Sequence, residues 1–85
     1  MKTIWKAKYE NNDLEIINSW FNGERLLVNG VLQDQQVNLT SANLSGHLVD
    51  NNGNKLPVKA NLGGFFTVKC MLFVDDTAIE VKKLS

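Results

Sequence analysis

Short apolar stretches that alternate with period two, each cut off by a cluster of Gly, Asn or Asp, run the length of this chain. Successive side chains of a strand point to opposite faces, so such a period buries one face of each stretch and leaves the other polar. Nowhere do apolar residues recur at i, i+3, i+4 and i+7 through a capped window, the pattern of an amphipathic helix. The chain is therefore expected to be all-β. The pattern predicts strands over 3–9, 14–20, 25–29, 31–39, 44–49, 56–62, 65–74 and 77–84. Turns fall at 10–13, 21–24, 40–43 and 50–54, and at Asn29-Gly30, Gly63-Gly64 and Asp75-Asp76. Parallel pairing would need crossovers of a dozen or more residues, which the spacing does not provide. About eight short strands with tight sequential turns predict an antiparallel meander or Greek-key β-sandwich, a small closed β-barrel being the alternative.

Within that frame individual strands have predicted sides. Trp5, Ala7 and Tyr9 share one face of the first strand, with Lys6 and Lys8 on the other. The stretch WFNGERLLVNGVLQD holds Asn-Gly twice, and both steps suit a type I′ hairpin turn, where two consecutive residues take positive φ. Between them Leu26 and Val28 face one way, Arg25 and Leu27 the other. The polar QDQQ of the next segment suits an edge or a loop. LLVNGVLQD and LFVDDTAIE share one pattern, read as two hairpins obeying the same turn chemistry. In 56–62, Leu56, Val58, Ala60 and Leu62 oppose Lys55, Pro57, Lys59 and Asn61; Pro57 marks an edge strand or a strand beginning. The longest apolar run, 65–74, is expected to be central, with Phe66, Val68, Cys70, Leu72 and Val74 inward.

The 85 residues suffice for one domain, 1–85, with a thin core. At 44% hydrophobic and 21% charged residues, the composition is that of a soluble globular protein. Lys plus Arg and Asp plus Glu both total nine, so no net field draws in nucleic acid or an anionic membrane. The start MKTIWKAKYENND lacks the apolar run of a secretory signal, and no run approaches the ~20 residues of a membrane span; a cytoplasmic location is expected. Cys70 is the sole cysteine, which excludes an internal disulfide and a multi-cysteine zinc site.

Catalytic and metal chemistry find few candidates. His47 is the single histidine, and on a strand residues 47 and 50 point to opposite faces, so it reads as a surface side chain. Cys70, between Val68 and Leu72, reads as a small core residue, since a reactive thiolate needs an electropositive, accessible setting. The loop DNNGN lacks the alternating oxygen ligands of a calcium-binding EF-hand, and Gly63-Gly64 precedes a strand and not the helix N-terminus of a phosphate cradle. No cofactor, metal or catalytic residue is expected, and an enzyme is disfavoured. The aromatic residues are more informative. Trp20-Phe21 and Phe65-Phe66 are neighbours in sequence, so one ring of each pair must leave the core. On the long strand Phe65, Thr67, Lys69, Met71 and Phe73 face outward, which leaves an apolar sheet face to be covered by a further layer or a loop, paired with a second copy, or open to a ligand. Trp20, Phe21, Phe65, Lys69, Met71 and Phe73 are the expected binding residues. Rings interleaved with Lys69 also open an alternative, a small-ligand or single-stranded nucleic-acid binding barrel.

In LEIINSWFNGERLLVNG and CMLFVDDTAIE, the residues Glu15, Gly23, Arg25, Val28, Asn29, Gly30, Val74 and Asp75 give the chain a resemblance to the Fas apoptotic inhibitory molecule family. The resemblance spans roughly half of the chain; Asn29 and Asp76 depart from the Asp-Gly turns of that pattern. It implies a non-enzymatic β-sandwich that acts by contact with other proteins, and no residue roles carry over. The expected function is a non-catalytic protein-interaction or self-assembly module, its partner a second copy or another protein.

Overall fold

A computed structural model describes residues 2–19, 21–37, 41–64 and 67–84. It holds nine strands and no helix among them: β1 (Lys2–Tyr9), β2 (Asn12–Ser19), β3 (Gly23–Val28), β4 (Val31–Gln36), β5 (Ser41–Val49), β6 (Lys55–Gly63), β7 (Lys69–Val74), β8 (Thr77–Ile79) and β9 (Lys82–Lys83). They form two antiparallel sheets, β4-β3-β2-β1-β9 and β5-β6-β7-β8, so the expected sandwich is the fold, in its meander form and not closed into a barrel. Consecutive strands pair within each sheet. The chain changes sheet between β4 and β5 and again between β8 and β9, where the last strand returns beside the first. No helix of the described residues could cross a membrane, there being none long and apolar enough.

The inward sides follow the period-two pattern. Trp5, Leu14, Ile16, Leu26 and Val28 of one sheet meet Ala42, Leu44, Leu48, Val58, Ala60, Leu62, Leu72 and Val74 of the other in a single buried cluster. Each Leu or Ile buried there contributes about 1.5–3 kcal/mol relative to exposure, and Leu14, Ile16, Leu26, Leu44 and Leu72 are almost completely enclosed. Ala7, Tyr9, Leu56, Cys70, Ile79 and Val81 pack around its margin.

Two hairpins share the predicted turn chemistry. At Asn29-Gly30 φ is 52° and 79°, and at Asp75-Asp76 it is 50° and 63°. Consecutive positive φ values match the right-handed twist of the strands they join. The other Asn-Gly step differs: only Gly23 has positive φ, 78°, the turn lies at Phe21-Asn22, and Gly23 already begins β3 opposite Ser19. Its constraint is space, because the Gln36 carbonyl oxygen occupies the position a β-carbon would take.

Long-range contacts moved several boundaries. Asn12 and Asp13 belong to β2, and Ser41 to Asn43 to β5, where polar breaks were expected. The 77–84 segment is two strands in different sheets, divided at Glu80-Val81 as Ile79 and Val81 lean on the core. Of the described part of the expected 65–74 strand, Lys69–Val74 is strand: Thr67 bends, its carbonyl oxygen stands where a β-carbon on Gly64 (φ 148°) would lie, and Val68 is exposed, not inward. Phe65 and Phe66 lie outside the described residues. β6 is interior, flanked by β5 and β7, yet Pro57 stands one residue before the first β6–β7 pair, Val58 with Val74. There it marks the beginning of that ladder, and its carbonyl accepts from Asp75 N at 2.9 Å.

Polar side chains fasten the sheets at two places. β5 is an edge strand, and its N–H groups at Asn43 and Ser45 donate to Gln36 Oε1 (3.1 Å) and Asp34 Oδ2 (2.8 Å) of β4. A β-bulge at Gln33 lets that side chain lie against Gly46. At the far end, buried Asn12 donates through Nδ2 to the carbonyls of Val49 (2.9 Å) and Tyr9 (3.3 Å), and its Oδ1 accepts from Asn29 Nδ2 (2.9 Å). Asn29 Oδ1 in turn accepts from Asp13 N.

Candidate functional site

The outer face of β5-β6-β7-β8 is where the expected binding residues of β7 converge. Lys69, Met71 and Phe73 share one side of that strand while Cys70, Leu72 and Val74 turn to the core. Register sets their neighbours: Met71 is opposite Asn61, Lys69 opposite Gly63, and Phe73 sits between Lys59 and Ala78. Directly opposed side chains on a sheet lie about 4.5–5.5 Å apart at Cβ, so these residues form one continuous surface. Met71 is 55% exposed, and Phe73 is half-buried between its flanking strands. Further along the face Val49 is exposed beside Lys55, and His47 is opposite Pro57. The face thus has an apolar centre of Met71, Phe73 and Pro57 with Lys55, Lys59 and Lys69 around it. Lys59 Nζ lies 3.9 Å from Asp76 Oδ1, an exposed pair of small energetic weight.

Phe21 does not belong to this surface. It projects from the β2–β3 turn of the other sheet, 88% exposed. Trp20 and Phe65 lie outside the described residues.

The titratable groups occupy positions suited to structure. His47 is exposed, at a shallow cleft of about 300 Å³ that also touches Gln33 and Asn29. Burial pushes the Cys70 thiol up to about 11, the reverse of a reactive thiolate. Asp50 closes the DNNGN loop: its Oδ1 accepts from the backbone N–H of Asn52 (2.9 Å) and Asn54 (2.8 Å). The Asn54 bond above all holds its carboxyl below the ordinary range. Among the described residues no group of three or more His, Cys, Asp or Glu is placed to hold a metal ion. Buried Glu24 went unnoticed in the sequence, where it fell in an expected turn; Asn18 Nδ2 donates to its Oε1 at 2.9 Å.

The sequence reading also missed a set of residues on the other outer face. Ile4, Ile17, Leu27, Leu32 and Leu84 all lie on the solvent side of β4-β3-β2-β1-β9, alongside Lys6, Glu15 and Arg25. The signal was available for four of them: Ile4, Ile17, Leu27 and Leu84 share the parity of outward charged residues of their own segments, while Leu32 takes its side from the register with Leu27. Beside them a cleft of about 580 Å³ is lined by Lys6, Lys8, Lys82, Asp13, Glu15 and Glu80, among others.

The chain matches no protein-family model, no curated protein and no solved structure.

Proposed function

We propose that this protein is a non-catalytic binding module that works by contact with another protein, through the outer face of β5-β6-β7-β8. The observation that carries the reading is Met71, more than half exposed beside the Phe73 ring on a hydrogen-bonded sheet. Methionine and aromatic side chains are enriched at interface centres while charges move to the rim, the distribution that Lys55, Lys59 and Lys69 make here. A sheet also fixes these side chains before binding, which lowers the ordering cost of association. The resemblance to the Fas apoptotic inhibitory molecule family favours the same kind of role.

The test is a cross-linking comparison of wild type with Met71→Lys, each checked by circular dichroism. A specific cross-linked partner present with wild type and lost with the folded variant supports the reading. Identical cross-linked sets from both proteins would reject it. Lys59 opposite Phe73, with Lys55 and Lys69 further along the same face, favours a second reading, single-stranded nucleic acid on that face. Anisotropy of a labelled oligonucleotide at low salt separates the two, since a rise that Met71→Lys strengthens and salt abolishes would assign the face to nucleic acid.

A further inference from the structure

We infer that the outer face of the five-stranded sheet seats a second copy of this chain, packed face to face about a two-fold axis that runs parallel to the strands between β1 and β2. This rests on residues other than Met71 and Phe73, and the two faces lie on opposite sides of the sandwich.

The apolar stripe comes first. Leu84, Ile4, Ile17, Leu27 and Leu32 supply one residue from each successive chain segment across the sheet, β9's continuation through β4. Ile4 is opposite Ile17, Leu27 is opposite Leu32, and Leu84 N donates to the Ile4 carbonyl at 2.8 Å. Ile17 and Leu27 are diagonal neighbours, because Ile17 pairs with Arg25. The stripe therefore runs unbroken from edge to edge on the solvent side. Leu32 and Leu84 are 49% and 50% exposed, and the other three are half-buried by their neighbours on the sheet.

Charge then selects the occupant. β1 presents Lys6 and Lys8 on this face, and β2 presents Glu15 and Asp13 opposite them, with separations of 3.7 Å and 3.8 Å. One strand is a basic column and its neighbour an acidic one. Turning a copy over about an axis midway between them places β1 of one on β2 of the other, at the same height. Ile4 then meets the partner's Ile17, Lys6 meets the partner's Glu15, and Lys8 meets the partner's Asp13. Every opposition is reciprocal, as an isologous contact requires. Sheets stacked face to face in this way sit about 10 Å apart.

Sedimentation equilibrium on the full chain tests this with five variants, four on this face and one on the opposite face. The wild type is expected to be a dimer at about 100 μM, and a monomer there overturns the proposal. Ile17→Lys is expected to weaken the dimer at least tenfold, and Leu84→Lys, at the sheet edge where the axis sets it over the partner's Arg25, to weaken it in the same direction. If both variants keep wild-type circular dichroism and wild-type dimerisation, the contact lies elsewhere and the proposal fails. Glu15→Lys sets Lys6 of each copy against a lysine of the other and is expected to weaken the dimer, while Lys6→Glu with Glu15→Lys exchanges that pair and restores it. A double variant no better than Glu15→Lys alone would overturn the axis. Met71→Lys, on the opposite face, leaves the dimer unchanged, so failure here and failure of the binding role proposed for the other face are separate results.

Discussion

Asp75 and Asp76 are two non-glycine residues that both sit at positive φ in one two-residue turn. A left-handed backbone costs most L-residues about 1–2 kcal/mol, less for Asp and Asn, and Asp76 repays little of that through its exposed pair with Lys59. Asp76→Gly is therefore expected to stabilise the fold by about 0.5–1 kcal/mol, a rise of some 2–8 °C in Tm for a domain of this size; an unchanged or lower Tm would count against strain at that turn. Asp50 gives a pH signature. Its carboxyl is held low in the fold by the Asn54 and Asn52 amides, so its contribution is present above the unfolded value near ~3.9 and disappears as pH falls through the folded one. The Tm difference between wild type and Asp50→Asn should stay level from about pH 7 to 5 and shrink below about pH 4. Cys70 behaves oppositely. With its thiol at about 11, the folded protein keeps it protonated, and that contribution holds below an unfolded value near ~8.5 and is lost as pH rises toward the folded one. At pH 8 a thiol reagent should react on the order of a hundredfold more slowly with native protein than with protein in denaturant.

At the scale of strands, the seam between the sheets is polar, and its centre is Asn12. Replacing it with Ala strips the Val49 carbonyl and the Asn29 amide of a buried partner at once. Asn12→Ala should cost about 1–3 kcal/mol by denaturant unfolding, whereas Asn11→Ala, whose one side-chain bond to Asn51 is exposed, should stay within about 0.5 kcal/mol. What could be read beforehand divides along the same line. The Asn29-Gly30 and Asp75-Asp76 turns, the inward face of 56–62 and the outward Met71 all follow from φ preferences or from period two within a few residues. Asn12 could not be read that way, because its burial depends on Val49, far along the chain. Nor could the splitting of 77–84, which requires knowing that Ile79 and Val81 bridge two sheets. Gly23 looked like a hairpin glycine for its conformation, yet its tightest demand comes from the Gln36 carbonyl, which only the fold brings near. The stripe through Ile4, Ile17 and Leu27 was legible by parity. Its members are aliphatic and scattered over three strands, while the aromatic residues of one strand drew the eye.

For the molecule as a whole, a face-to-face pair formed through β4-β3-β2-β1-β9 would leave each copy's Met71 and Phe73 surface pointing away from the other. A ligand with two sites could then be held at both, so that weak individual contacts combine through effective concentration. The topology has a separate implication. Strands follow one another in space as in sequence, and β9 then lies against β1, where Leu84 N reaches the Ile4 carbonyl. In spatial terms the nine strands form a ring with no privileged starting point. A circular permutant that joins residues 84 and 2 by a linker of about four to six residues, and opens the chain between Asn52 and Gly53 in an exposed turn, should fold with Tm within roughly 10 °C of the parent. An unfolded permutant would mean that the β5–β6 connection must be intact for the sheets to find each other. Success would mean that the order of translation is incidental to this architecture, and that new sequence could be grafted at either opening without touching the core.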